Sequence, residues 1–125
     1  MSNNDYIIIA DDNKFFSGVF KSELEKVGHN VKIAENGVQV MEMVRNQKPL
    51  LILLDLIMPE KDGFDTLKEL KGNAETKNIK VIVFSNLSQD EDIKKISDLG
   101  AEGYIIKHYL IFEEAIEKIE RILSI

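Results

Sequence analysis

The sequence has no cysteine and no tryptophan, and its 125 residues include only two histidines. Without cysteine there is no disulfide framework and no thiolate zinc site. His29 and His108 are too few to hold a tetrahedral metal, and both are expected at the surface rather than as ligands, with the rim of a pocket as the other reading of His108. Positive charge is in deficit: 16 Lys and Arg stand against 22 Asp and Glu, a net charge of -6 with a pI near 4.9. That balance argues against nonspecific binding to nucleic acid or to an anionic membrane, since both need a cationic surface. Long hydrophobic runs are missing too, none approaching the ~20 residues that cross a bilayer. The start, Met1-Ser2-Asn3-Asn4-Asp5, has neither a basic region nor an apolar core, so no signal peptide is expected and the cytoplasm is the default compartment.

What is present is enough for one domain, expected to span residues 1–125, and a chain of this size buries roughly two-thirds of its unfolded surface. Its centre is the stretch from Leu50 to Gly63. Pro49 precedes an apolar run, Leu50-Leu51-Ile52-Leu53-Leu54, which reads as a strand buried on both faces and ends abruptly in Asp55. The same pattern occurs at Tyr6 to Ala10, which runs into Asp11-Asp12. Val31 to Ala34, Val81 to Phe84 (ending in Ser85) and Tyr104 to Ile106 (ending in Lys107) complete five strands.

Helical spacing alternates with these strands. Phe16, Val19, Phe20, Leu24 and Val27 mark the first helix, stopped by Gly28; Val38, Val40, Met41 and Val44 mark the second, ending before Pro49. Phe64, Leu67 and Leu70 mark the third, ending near Gly72-Asn73, with a polar loop over 72–78. Ser88 and Glu91 have the form of a capping box opening a fourth helix with Ile93, Ile96 and Leu99 inward. Leu110 to Ile125 closes the chain as a fifth. Such alternation implies parallel strands, right-handed crossovers and helices on both faces.

In a parallel sheet all strand carboxyl ends lie on one edge, so Asp11, Asp12, Asp55, Ser85 and Lys107 are expected to share a pocket. Three clustered carboxylates repel: at ~5 Å and an effective dielectric of ~20, each ionised pair costs about 3 kcal/mol. Lys107 neutralises one charge, and the remainder suits a hard divalent cation such as Mg²⁺. A carboxylate is a competent nucleophile toward phosphorus when a metal and a cation clamp the phosphoryl oxygens. Asp55 then becomes acceptor and metal ligand together, the acidic pair holds Mg²⁺, Lys107 pairs with the acceptor or the phosphoryl oxygens, and Ser85 hydrogen-bonds the phosphoryl group.

Taken in order, Asp11-Asp12-Asn13, Ala34-Glu35-Asn36-Gly37, Asp55 to Gly63 (Asp-Leu-Ile-Met-Pro-Glu-Lys-Asp-Gly), Ser85 and Gly100 to Lys107 (Gly-Ala-Glu-Gly-Tyr-Ile-Ile-Lys) resemble a two-component response-regulator receiver domain of the chemotaxis-protein type, from Tyr6 to about Leu123. The resemblance implies a flavodoxin-like (βα)5 doubly wound α/β fold with a parallel sheet of strand order 2-1-3-4-5. It implies Asp55 as phosphoacceptor, Asp12 as direct Mg²⁺ ligand, Asp11 as ligand through water, and the main-chain carbonyl of Ile57 as a further ligand. Ser85 and Tyr104 become a switch pair. Partners would be a sensor histidine kinase or histidine phosphotransfer protein and a downstream protein, with no direct nucleic acid or membrane contact, the chain being a monomer or a phosphorylation-dependent dimer. It would catalyse only its own phosphorylation and dephosphorylation. Two other readings are a Mg²⁺-dependent phosphohydrolase, which typically wants a second Asp where Ile57 stands, and a degenerate receiver that binds partners without phosphorylation.

The chain departs from the family at two points. His108 stands where the family usually has Pro after the active-site Lys, so a trans peptide with a re-routed loop or a strained exception is expected. Asn86 stands where a small residue is usual, to narrow access to Asp55 or to touch the phosphoryl group. Ile57 and Leu87 cannot orient an attacking water, which implies a long-lived phosphoryl state; the other reading is that both are incidental loop apolars. Phe15, beside the acidic pair, is read either as a dock for a partner's phosphorylated helix or as partly buried core. Asn86-Leu87-Ser88 matches a glycosylation sequon that a cytosolic chain would not use. On the last helix Glu113, Glu114, Glu117, Lys118, Glu120 and Arg121 read as a solvated face, and Phe112, Ala115, Ile116, Ile119, Ile122, Leu123 and Ile125 as a broad core face, with a partner or dimer surface as the other reading.

Overall fold

The structure is a computed structural model that describes residues 4–86 and 89–124. Within them the order is β1 (Ile7–Ala10), α1 (Lys14–Lys26), β2 (Val31–Ala34), α2 (Gly37–Asn46), β3 (Leu51–Leu54), α3 (Gly63–Lys71), β4 (Lys80–Ser85), α4 (Asp90–Asp98), β5 (Gly103–Ile106) and α5 (Phe112–Leu123). The strands form one parallel sheet in the order β2-β1-β3-β4-β5, the order implied by the resemblance.

Apolar residues run without a break along β1 and β3 because side chains alternate across a sheet that is covered on both sides. Ile7, Ile9, Leu51, Leu53, Ile82 and Phe84 pack with Phe20 and Leu24 of α1 and Ala115 and Ile119 of α5. Ile8, Ala10, Ile52, Leu54, Val81 and Val83 pack on the opposite face with Val40 and Val44 of α2, Leu67 and Leu70 of α3 and Ile96 of α4. The helices start where a side chain can take an orphan N–H: Asn13, Asn36 and Asp62 each accept from the residue three positions on.

Two loops at the carboxyl edge are locked by glycine. A Cβ on Gly63 would overlap the carbonyl oxygen of Asp55 and the Cα of Leu56, so α3 starts directly against the backbone that follows β3. The Gly63 N–H donates to the Leu56 carbonyl at 3.0 Å. A Cβ on Gly37 would overlap Thr66 and Lys61, and the Gly37 N–H donates to the Lys61 carbonyl at 2.9 Å, joining the β2–α2 loop to the β3–α3 loop. At the other end of α3, the Lys71 ammonium donates to the carbonyls of Lys77 (3.0 Å) and Ile79 (2.8 Å) and to the Glu102 carboxylate, whose Oε2 also accepts from the Val81 N–H at 3.0 Å.

Several expectations are corrected here. The last helix begins at Phe112, not Leu110, because Lys107–Tyr109 form a 3-10 turn closed by the Leu110 N–H on the Lys107 carbonyl, after which Leu110 and Ile111 are extended. No peptide bond among the described residues is cis, so the Lys107–His108 bond is trans and the chain leaves β5 through that tight turn. Helix α4 starts at Asp90 with Gln89 in the N-cap position, and the Ser88–Glu91 box lies outside the described residues, as do Leu87, the sequon and Ile125.

His29 is not on the surface. It is only 5% exposed, held between the end of α1 and α5 with Nε2 3.3 Å from Glu120 Oε2. Glu120 is accordingly not simply solvated. Lys118 is not either, since its ammonium donates to the Tyr104 carbonyl at 2.8 Å. Phe112, Ile116, Ile122 and Leu123 pack half-buried against the α1/α5 side of the core, the reading of a broad core face.

Candidate active site at the carboxyl edge of the sheet

Asp11 follows β1 and Asp55 follows β3, and the sheet ladder continues far enough to fix both: the Asp55 N–H donates to the Ala10 carbonyl at 2.9 Å and the Asp11 N–H to the Ala34 carbonyl at 3.0 Å. Asp12 lies next to them, exposed. One carboxylate oxygen from each of Asp11, Asp12 and Asp55 falls within 4.8 Å of the others. The Lys107 ammonium, arriving from the end of β5, is 2.8 Å from Asp11 Oδ2 and 3.4 Å from Asp55 Oδ2.

These groups are unequal in their surroundings. Asp11 Oδ1 accepts from the Asn13 N–H at 3.0 Å, whereas the buried Oδ2 faces the ammonium as an ion pair. Asp55 is 6% exposed, and Oδ1 has only a long contact, 3.4 Å, from the Ile57 N–H. Burial raises the Asp55 carboxyl from its ordinary 3.8 to about 6; Lys107 offsets part of that and Asp11 adds to it. At neutral pH the group is still mostly ionised, so its charge is held at a cost that a further cation would relieve.

Ser85 ends β4 fully buried, paired in register with Ile106 just before Lys107. The Tyr104 hydroxyl is buried with no hydrogen-bond partner, and its pKa is raised by burial first and then by the charges of Asp92 and Asp55. Ile57, two residues after Asp55, is 63% exposed. Every residue expected at the strand ends therefore lies at this edge.

The chain belongs to the response-regulator receiver family. Its sequence matches the response regulator receiver domain over residues 7–120. It is 36% identical over 101 residues to the protein PilH of Pseudomonas aeruginosa, covering 81% of this chain and 84% of that one. It is also similar to a CheY-like receiver domain protein of Methanospirillum hungatei, with a TM-score of 0.88 at 25% identity, covering 96% and 94% of the two chains. The Mn²⁺-bound form of the response regulator Rcp1 matches with a TM-score of 0.82 at 28% identity over 93% and 91%. The receiver is thus a module of two-component systems, a class that interacts with histidine kinases and downstream effectors and is not generally a set of classical enzymes. No helix of the described residues is long and apolar enough to cross a membrane.

The two departures from the family meet in this receiver. Asn86 Oδ1 accepts the His108 N–H at 2.9 Å, an N–H that proline would not have, so the exit of β4 is tied to the 3-10 turn after β5. Phe15 is 83% exposed, which removes the core reading of that residue.

The residues that sequence reasoning missed are aromatic. The Lys107 ammonium lies over the Phe16 ring at 4.7 Å and the Phe84 ring at 5.2 Å. Both had been legible only as inward-facing apolar positions, and the available signal was phenylalanine at both of them.

Proposed function

We propose that this receiver accepts a phosphoryl group on Asp55 from the phosphohistidine of a sensor histidine kinase or histidine phosphotransfer protein, in a Mg²⁺-dependent step. Phosphorylation then alters the surface it offers to a downstream protein partner. The observation that carries the reading is the cluster of Asp11, Asp12 and Asp55 around one ammonium, three carboxylates with a single cation among them.

That cluster fits a hard cation. Its ligand atoms are all oxygen, and three carboxylates that share a single ammonium leave negative charge that such an ion would neutralise. Asp11, Asp12 and Asp55, with the main-chain carbonyl of Ile57, would hold Mg²⁺. The Mn²⁺-bound form of Rcp1 supports a divalent cation in this fold. When bound, the ion supplies positive charge against the acidic cluster and the phosphoryl oxygens.

The protein's own part follows from its groups. An Asp55 carboxylate oxygen forms the new bond to phosphorus as the donor's P–N bond breaks, and the imidazole leaves. Lys107 turns its ammonium to the incoming phosphoryl oxygens. Ser85 donates its hydroxyl to one of those oxygens, and Tyr104 fills the space beside it; added charge and strong acceptors bias the neighbouring loop toward the state that meets them. Ile57 cannot orient water, so the adduct persists, and Ile57→Asn shortens its lifetime. The whole sequence, residues 1–125, acts as one cytoplasmic receiver unit, a monomer or a phosphorylation-dependent dimer, and modifies only itself.

Incubation with Mg²⁺ and acetyl phosphate, followed by intact mass spectrometry, tests this. One base-labile phosphoryl adduct is expected, lost with chelator and in Asp55→Asn. No adduct would favour a binding module that works without phosphorylation, continuous phosphate release from organic phosphates would favour a hydrolase, and an adduct that survives Asp55→Asn would remove Asp55 from its role.

A further inference from the structure

Besides its two carboxylates, the active-site ammonium has two aromatic rings as neighbours. Phe16 of α1 and Phe84 of β4 stack with centroids 5.5 Å apart and planes at 21°, and Lys107 lies over both. Phe20 and Phe112 pack on these rings, Phe20 edge-on to Phe16 at 6.0 Å and to Phe84 at 6.0 Å, and Phe112 edge-on to Phe20 at 5.2 Å and tilted on Phe16 at 6.4 Å. Phe84 is fully buried, so that ring is fixed in place by the core.

We propose that the stacked faces of Phe16 and Phe84 position the Lys107 ammonium for phosphoryl transfer. The inference rests on Asp55 being the acceptor. Two opposing needs make such a pair of rings useful. A divalent cation on Asp11 and Asp12 competes with Lys107 for Asp11, its nearer partner, and repels the ammonium. The ammonium must nonetheless stay beside Asp55, where phosphoryl oxygens arrive.

A third carboxylate behind Lys107 would hold it, but would also repel the phosphoryl group. Ring faces attract the ammonium through their quadrupole while carrying no net charge and offering no oxygen to the metal. They also shield the lysine stem from water, leaving the pocket side of the ammonium open for the incoming oxygens. Phe16 and Phe84 act through Lys107 and do not touch the reacting atoms.

The test uses the full chain with Mg²⁺ and acetyl phosphate, and Phe16 because it is the half-buried ring of the two. Phe16→Leu keeps an apolar side chain and loses the face; Phe16→Tyr keeps the face. With a desolvated contact of this kind, adduct formation should slow by about 5- to 30-fold in Phe16→Leu and stay near wild type in Phe16→Tyr. A second readout does not depend on phosphorylation. In metal-free protein the Lys107 ε-methylene protons should be shifted upfield by the rings, and the shift should shrink in Phe16→Leu but not in Phe16→Tyr. Equal rates in Phe16→Leu and wild type overturn the proposal, as do equal losses in the Leu and Tyr variants. If wild type takes up no phosphoryl group, the reading of Asp55 fails instead; the placement of Lys107 is then judged by the ring shift, whose absence in wild type overturns it.

Discussion

Replacing Asp55 by Asn should make the metal-free protein more stable, and by an amount that depends on pH. Burial places the Asp55 carboxyl at about 6 rather than 3.8. Keeping it ionised at pH 7.5 therefore costs at most about 3 kcal/mol. Water at the pocket mouth reduces that figure, and ~2 kcal/mol is a working value. The group is a carboxylate with its folded-state pKa raised. Between about pH 4 and pH 6 the native chain thus holds a proton that the unfolded chain has lost, so stability falls as pH rises through that window and levels off above it.

Asn is neutral throughout, and Lys107 keeps Asp11 at 2.8 Å, so the substitution leaves no orphaned cation. Asp55→Asn should then match wild type near pH 4 and exceed it by about 2 kcal/mol at pH 7.5, a midpoint roughly 6–10 °C higher for a domain of this size. Urea unfolding in the presence of chelator at pH 4.5, 6 and 7.5 measures it. A variant no more stable than wild type at pH 7.5, or a gain that does not vary with pH, would falsify the account of Asp55 as a buried acid awaiting a cation.

Other perturbations probe the frame around the site. Mg²⁺ at 100 times its dissociation constant should stabilise wild type by about 2.7 kcal/mol, measurable as a rise in the thermal midpoint, and Asp12→Asn should lose most of that gain. Gly63→Ala forces a Cβ onto the Asp55 carbonyl and Leu56; a loss of 2 kcal/mol or more, roughly the scale of overpacking, is expected by urea unfolding, and an unchanged midpoint would mean the β3–α3 loop is not held as described. Lys71→Met removes the donor shared by two carbonyls and Glu102, and should cost about 2–4 kcal/mol in the same assay. Asn86→Ala frees the His108 N–H, whose hydrogen exchange should accelerate at least several-fold while amides of β1 and β3 do not change.

Much of this was legible in the residues. Strands buried on both faces write themselves as unbroken apolar runs, so Leu51 to Leu54 and Ile7 to Ala10 read directly, and the acid after each was visible as the point where the run stops. Helix spacing, with glycine or proline stops, located α1 to α3 because those signals are local. Misreadings occurred where a local pattern was overridden by contacts distant in sequence. His29 looked like a polar residue in a turn, but α5 covers it and brings Glu120 to its ring. Lys118 and Glu120 looked like solvent-facing charges, but Lys118 reaches the Tyr104 carbonyl of β5 and Glu120 the His29 ring at the end of α1. The start of α5 slipped by two residues because the 3-10 turn at Lys107 satisfies the chain there without helix.

The sequence by itself determined the fold class and the acidic, hydroxyl and basic groups at the strand ends, because period and alternation are local properties of the chain and parallel strands deliver their ends to one edge. Only the tertiary structure decided how those groups meet. It put Lys107 between two carboxylates and two phenylalanine faces, buried Asp55 enough to raise its pKa, and paired Asn86 with His108. Those relations depend on distances between residues that are far apart in sequence, set by the packing of α1 and α5 on one face and α2 to α4 on the other.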